Sequence, residues 1–207
     1  MKHLILTGFM AVGKTAIGKR IARRLGRDFI DTDSVIEARE SMSIREIFET
    51  RGEPEFRRIE REVVAGLTPD GPAVISTGGG TFVDARNREA LGKLGVVVCL
   101  VTSIETIVER VQRGGKRPLA DGDARERLSR LYEERMEAYR QADVLIETDG
   151  LTLEQSIARV LKMIEPRLRS DTADAADAAG TGDPGSDAGR SGTGPQAKRS
   201  VKRRESP

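Results

Sequence analysis

The sequence predicts an α/β fold: a five-stranded parallel sheet flanked by helices. Two observations carry this. Five short apolar runs suited to buried strands alternate with stretches whose apolar residues recur at helical spacing, the pattern of right-handed strand–helix–strand crossovers. The first junction also holds Gly8-Phe9-Met10-Ala11-Val12-Gly13-Lys14-Thr15. This fits G-x-x-x-x-G-K-[ST], the phosphate-binding loop that follows a strand and opens a helix.

The elements follow in order. Leu4–Thr7 is the first strand, and Ile17, Ile21, Ala22 and Leu25 mark one face of the first helix. Arg27–Ile30 is a short second strand ending in Asp31-Thr32-Asp33, after which Val35, Ile36 and Ala38 begin a helix. Ser43 with Glu46 forms a capping box for the next, which breaks at Arg51-Gly52. A charged helix from Glu53 to Leu67 buries Phe56, Ile59, Val63, Val64 and Leu67. Ala73–Ser76 is the third strand and leads into Thr77-Gly78-Gly79-Gly80; a helix from Asp84 to Leu94 and the strand Val96–Val101 follow. Thr102 with Glu105 reads as a second box, for a helix to about Val111. After a glycine-rich stretch, Arg113 to Gly122, Asp123 with Glu126 starts a helix through Tyr139. Val144–Ile146 is the fifth strand, and Thr152 with Gln155 caps a last helix to about Ile164.

The 207 residues suffice for one domain with a substantial core. A third are charged, yet the net charge is only +2, so no global field draws nucleic acid or membrane. No apolar run reaches a membrane span, and Met1-Lys2-His3 leads straight into a strand, so we expect a cytoplasmic protein, without a signal peptide. The single cysteine, Cys99, lies in a strand run, and the lone His3 offers neither metal cluster nor triad. Composition changes at Pro166. From Arg167 onward Leu168 and Val201 are the only large aliphatics, too few to offset ordering entropy. The division is a catalytic domain over 1–166 and a disordered polar tail over 167–207. An Asp-rich half (Asp171 to Asp187) precedes a basic end (Lys198 to Arg204), which we read as solvated rather than as a nucleic-acid contact.

Ligands in such sheets sit beyond the carboxyl ends of the strands, where the phosphate loop, Asp31/Asp33 and the glycine triplet all fall. The loop's backbone N–H groups, from Ala11 through Val12, Gly13, Lys14 and Thr15 to Ala16, are the nucleotide-binding set. Lys14 reaches the β- and γ-phosphates, and the Thr15 hydroxyl binds Mg²⁺. Two residues apart in extended backbone, Asp31 and Asp33 share a face; one can serve the magnesium water shell and the other can accept a proton. Asp33 is equally placed to cap the following helix. The third strand ends in Ser76-Thr77 without the usual acidic residue, so Asp31 must substitute for it. Arg57 and Glu60 stand three apart on a helix, either a guanidinium pre-oriented for a carboxylate or an ordinary surface pair. The glycine triplet is either a plain turn or a close approach to ligand. Arg117, among Gly114, Gly115 and Gly122, suits a lid that closes on a phosphoryl group. Arg135 either adds a second positive contact or belongs to a solvated face with Glu134 and Glu137.

Taken together, Gly8–Thr15, Asp31-Thr32-Asp33, Gly52-Glu53…Phe56-Arg57…Glu60, Thr77–Gly80, Arg117-Pro118-Leu119 and Arg135…Tyr139 resemble the shikimate kinases in order and spacing, over about residues 1–165. The resemblance implies a phosphate-loop kinase with a lid and a substrate-binding helical region, and ATP-dependent phosphorylation of the shikimate 3-hydroxyl in the pathway to chorismate and the aromatic amino acids. It implies ATP and Mg²⁺ as cofactors and shikimate as substrate; we expect no membrane or nucleic-acid partner, and a monomer. By resemblance, Asp33 is the base, with Lys14 and Arg117 at the phosphoryl group. Arg57 and Arg135 grip the carboxylate, Gly79 and Gly80 add backbone contacts, Arg110 packs near adenine, Thr15 ligates Mg²⁺ and Asp31 supports it. Ala11 departs from a glycine common in the family, and Ala120 from a leucine. A gluconate-type or nucleotide kinase on the same fold is the alternative; two arginines suit an acceptor with a carboxylate, and a neutral polyol would have no use for them. A regulatory module that had lost catalysis would lack Lys14, Asp33 or Arg117.

Overall fold

A computed structural model describes residues 2–114 and 122–177 of the chain. The strands β1 (His3–Gly8), β2 (Asp28–Asp31), β3 (Ala73–Ser76), β4 (Gly95–Val101) and β5 (Val144–Glu147) form one sheet in the order β2-β3-β1-β4-β5. Every pairing is parallel, as the crossovers require. The central strand β1 pairs Leu4 with Val74 on one side and Val96 on the other, so Leu4, Ile5 and Leu6 are fully buried. That double cover is why these strands read as continuous apolar runs.

The helices are α1 (Lys14–Leu25), α2 (Thr32–Glu40), α3 (Ile44–Ala65), α4 (Ala85–Leu94), α5 (Ile104–Gly114), α6 (Gly122–Tyr139) and α7 (Leu153–Asp177). A short 3₁₀ turn, Thr81–Val83, follows the glycine triplet. The Ser43–Glu46 box is formed in both directions, and Gly52 breaks α3 with φ 79°. Beside the sheet's core lies a second apolar cluster, Ile36, Ile47, Phe56, Ile59 and Val63, between α2 and α3. Phe48 and Phe56 stack within it at 4.5 Å. Burying a side chain such as Phe56 stabilises by roughly 1.5–3 kcal/mol. This cluster gives the α2–α3 unit its own anchor and sets which face of α3 carries Arg57.

Three expectations are corrected. Leu25 does not share the buried face of α1; it is the helix's last residue, before the left-handed Gly26, and is 37% exposed. Thr102 does not cap α5: the helix starts at Ile104, the Ser103 hydroxyl accepts from the Thr106 N–H, and Thr102 donates to Asp149 instead. The last helix does not stop near Ile164 but continues through Pro166 to Asp177, and Leu168 packs partly against the sheet's core. Composition weighs burial over long windows and misses a helix that extends from a well-packed start. Arg117 to Ala120, expected in the lid, lie outside the described residues, as does the tail from residue 178. Cys99 is a buried strand residue, as expected. Among the described residues, no helix is long and apolar enough to cross a membrane.

Candidate active site

The phosphate loop connects β1 to α1 through left-handed backbone at Gly8 (φ 129°), Ala11 (φ 59°) and Gly13 (φ 102°). At Gly8 a side chain is impossible: a Cβ there would lie 2.3 Å from the Leu100 carbonyl oxygen. Gly13 caps α1 without any side-chain bond, which leaves the helix's first N–H groups to a ligand. The buried Lys14 ammonium donates to the Gly8 and Phe9 carbonyls at 2.9 and 2.8 Å, holding the loop closed upon itself. Burial pulls this ammonium down to about 8, opposed by the nearby Asp33 carboxylate. From the far side Arg110 donates to the Ala11 and Val12 carbonyls at 3.1 and 3.2 Å. It borders a cavity of about 240 Å³ with Ile17, Thr148 and Ser156.

Thr15 and Asp31 meet beside the phosphate loop. The Thr15 hydroxyl donates to Asp31 Oδ2 at 2.9 Å, while Asp31 Oδ1 accepts from the Asp33 N–H at 3.1 Å and caps α2. The cap that Asp33 could also have supplied belongs to Asp31. Asp33 stands in the helix's first turn rather than beside Asp31 on extended backbone, and its carboxylate is left for other work. Among the described residues no cluster of three His, Cys, Asp or Glu forms a metal cage. A hydroxyl and a carboxylate oxygen side by side are donor types that a magnesium ion can take together with phosphate and water oxygens. Burial pushes the Asp33 carboxyl up to about 6, aided by the Asp31 charge and opposed by Lys14.

Across from Asp33, Arg57 is fixed from two sides. Its Nη1 donates to Glu60 at 2.9 Å, and its Nε and Nη2 donate to Glu53 at 3.2 and 3.1 Å. Glu60 is 1% exposed and accepts from the Thr81 hydroxyl at 2.7 Å. The surface-pair reading of Arg57–Glu60 fails on that burial. The glycine triplet has none of the left-handed backbone found elsewhere, so close approach is its reason. A Cβ on Gly78 would meet Asp33 at 2.6 Å, and one on Gly80 would meet the Arg57 guanidinium at 2.6 Å. Arg135 lies with its Cζ 5.4 Å from the centre of the buried Phe9 ring, so the phosphate loop itself supports it.

These groups converge on one cavity of about 250 Å³, with Asp33, Glu60, Gly78–Gly80, Arg57 and Arg135 on the polar side and Ile44, Phe48 and Phe56 on the apolar side. A second hollow of about 330 Å³ adjoins it across Arg57, Gly80 and Arg135. Sequence reasoning missed Glu53 and Thr81 as supports, and the Tyr139 hydroxyl, which donates to the Gly79 carbonyl at 2.6 Å. Only Glu53, four residues before Arg57, left a readable signal, its helical spacing.

A phosphate loop on a parallel sheet, beside a cavity with a poised carboxylate and two arginines, defines a phosphate-loop kinase acting on a small molecule. A sequence model of the shikimate kinase family matches residues 10–165. The chain is 43% identical over 166 residues to the shikimate kinase of Thermodesulfovibrio yellowstonii, spanning 80% of this chain and 96% of that one. It is 38% identical over 168 residues to the shikimate kinase of Geobacter metallireducens, spanning 81% and 94%. Among solved structures it resembles the shikimate kinase from Acinetobacter baumannii in complex with shikimate, with TM-score 0.74, 36% identity, and 81% and 94% of the two chains covered. That from Aquifex aeolicus gives TM-score 0.68 and 31% identity, with 81% and 99% covered. This chain belongs to the shikimate kinase family, whose members use ATP with Mg²⁺.

Proposed function

We propose that this chain transfers the γ-phosphoryl group of ATP to the 3-hydroxyl of shikimate. The observation that carries the reading is the convergence of Arg57 and Arg135 with Asp33 on one cavity beside the phosphate loop. Two guanidinium groups suit a carboxylate, and Asp33 suits a hydroxyl, so the cavity fits a hydroxylated carboxylic acid. The apolar wall of Ile44, Phe48 and Phe56 takes the carbon ring's face.

Bound Mg·ATP supplies the phosphoryl group and neutralises its charge. The chain's part is positioning. The loop N–H groups of Ala11 to Ala16 cradle the phosphates, Thr15 offers its hydroxyl to the metal, and Asp31 orients Thr15. Lys14 exchanges the Gly8 and Phe9 carbonyls for phosphate oxygens. Arg57, Arg135 and the Gly79 and Gly80 backbone hold the carboxylate end of the acceptor. Asp33 takes the proton from the 3-hydroxyl as its oxygen bonds to phosphorus and ADP leaves. By family resemblance Arg117 contacts the phosphates from the lid, and Arg110 packs near adenine. The folded domain, with α7 running on to Asp177, carries this work as a cytoplasmic monomer, and the chain beyond Asp177 is dispensable to it.

The test is ADP release with Mg·ATP, comparing shikimate, gluconate and AMP as acceptors. Turnover on shikimate alone is expected. Turnover on gluconate, also a hydroxylated carboxylate, would keep the two-arginine clamp but overturn shikimate as the acceptor, and turnover on AMP alone would leave the two arginines without a purpose.

A further inference from the structure

Three consecutive glycines have a wide choice of backbone conformation, so a site built on them needs an external anchor to select one. The carbonyls of Gly78 and Gly80 are held locally, by the N–H groups of Thr81 and Val83 at 3.3 and 3.0 Å. The Gly79 carbonyl is held from 60 residues away, by the hydroxyl of Tyr139 at 2.6 Å. Tyr139 is the last residue of α6, and its side chain is fully buried. A phenylalanine would fill the same space, so the hydroxyl adds this bond rather than packing. Because a peptide unit is planar and trans, the Gly79 carbonyl and the Gly80 N–H point in opposite directions from one rigid plane. Fixing the first therefore fixes the second. Gly80 lies under the Arg57 guanidinium and lines the acceptor cavity. One helical turn before Tyr139 on α6, Arg135 also lines that cavity.

We propose that Tyr139 is a positioning residue for the acceptor: its hydroxyl locks the Gly79–Gly80 peptide in the cavity that Arg135 also lines, so that the backbone and guanidinium donors address the same carboxylate. It touches neither substrate nor nucleotide. The proposal rests on the reading above that the cavity takes a hydroxylated carboxylate.

The variant Tyr139→Phe keeps the ring and removes the bond. Leaving one buried carbonyl unpartnered and its peptide free is expected to raise the acceptor KM by about tenfold. The KM for ATP should move by less than about twofold, and kcat should be retained, the signature of lost binding without lost transition-state stabilisation. A role in packing alone would instead disturb both substrates together or neither. An acceptor KM that stays within about twofold of the parent, or an ATP KM that rises in parallel, overturns the proposal. So does a variant that fails to fold, since the hydroxyl would then serve the fold. Parent turnover measured alongside separates this from the earlier reading: if the parent prefers another carboxylate, the ratio is taken with that acceptor.

Discussion

The Arg57 guanidinium and the Glu60 carboxylate lie 2.9 Å apart on one turn of α3, with Glu60 only 1% exposed and Arg57 25% exposed at the side chain. Glu60 holds both the arginine and the Thr81 hydroxyl beside the glycine triplet. Truncating one partner of a buried pair strands the other, at about 3–5 kcal/mol where both are buried. The partial exposure of Arg57 places Glu60→Ala at the lower end. Arg57→Ala leaves the nucleotide side intact and is expected to weaken acceptor binding by roughly 2–5 kcal/mol. Calorimetric titration with shikimate and with ATP measures both. Unchanged shikimate affinity in Arg57→Ala would remove that residue from the site.

Two glycine-to-alanine substitutions should behave oppositely. In Gly80→Ala the new methyl meets the Arg57 guanidinium at 2.6 Å, the far end of a flexible side chain, which can move aside. The protein should fold, with a melting temperature near the parent's, and lose most of its acceptor affinity. In Gly8→Ala the methyl meets the Leu100 backbone carbonyl oxygen at 2.3 Å, on left-handed backbone with φ 129°. Nothing there can give, so yield and melting temperature should fall together. A well-folded Gly8→Ala would contradict the loop geometry.

How much of this was legible in the sequence follows from how local each signal is. The strands, the phosphate loop and the Arg57–Glu60 pair depend on spacings within one element, so periodicity and motif reveal them. Asp31 and Asp33 were readable as a pair, but not their division of labour. That depends on α2 starting at Thr32, which gives Asp31 the cap and the Thr15 bond and leaves Asp33 beside Gly78. Ser103 and Thr102 exchanged roles for the same reason, a helix start shifted slightly along the chain. The Tyr139–Gly79 and Thr81–Glu60 bonds join residues far apart in sequence, and only the fold brings them together.

The last helix makes a prediction about the chain's end. Leu168 lies past the compositional break yet packs partly against the core, bordering a cleft with Leu25, Leu161 and Ile164. Ending the chain after Pro166 removes that contact, whereas ending it after Asp177 does not. The shorter form should melt a few degrees lower, the scale of about 1 kcal/mol in a domain of this size. The longer one should match the full chain, and both should retain turnover. Equal melting temperatures would show that the helix beyond Pro166 adds no stability.

Asp33 links stability to pH with a sign opposite to that of a salt-bridged carboxylate. Burial, and then the Asp31 charge, raise it from its ordinary 3.8 to about 6. Below about pH 4 it is protonated in both folded and unfolded chains. Between these values the folded chain holds the proton that the unfolded chain has lost, so this group's contribution to stability falls as pH rises and levels off above about 6. Asp33→Asn removes the buried charge and should raise the melting temperature at pH 8, with the gain fading as the pH falls toward 4. The same substitution removes the proton acceptor, so turnover should drop far more than shikimate affinity. In the parent, kcat/KM for shikimate should rise along an acid limb near pH 6, where Asp33 becomes ionised in the free enzyme. A variant that is both more stable at pH 8 and nearly inactive would place the charge of Asp33 in the chemistry, at the expense of the fold. Full turnover in Asp33→Asn would take the base assignment away.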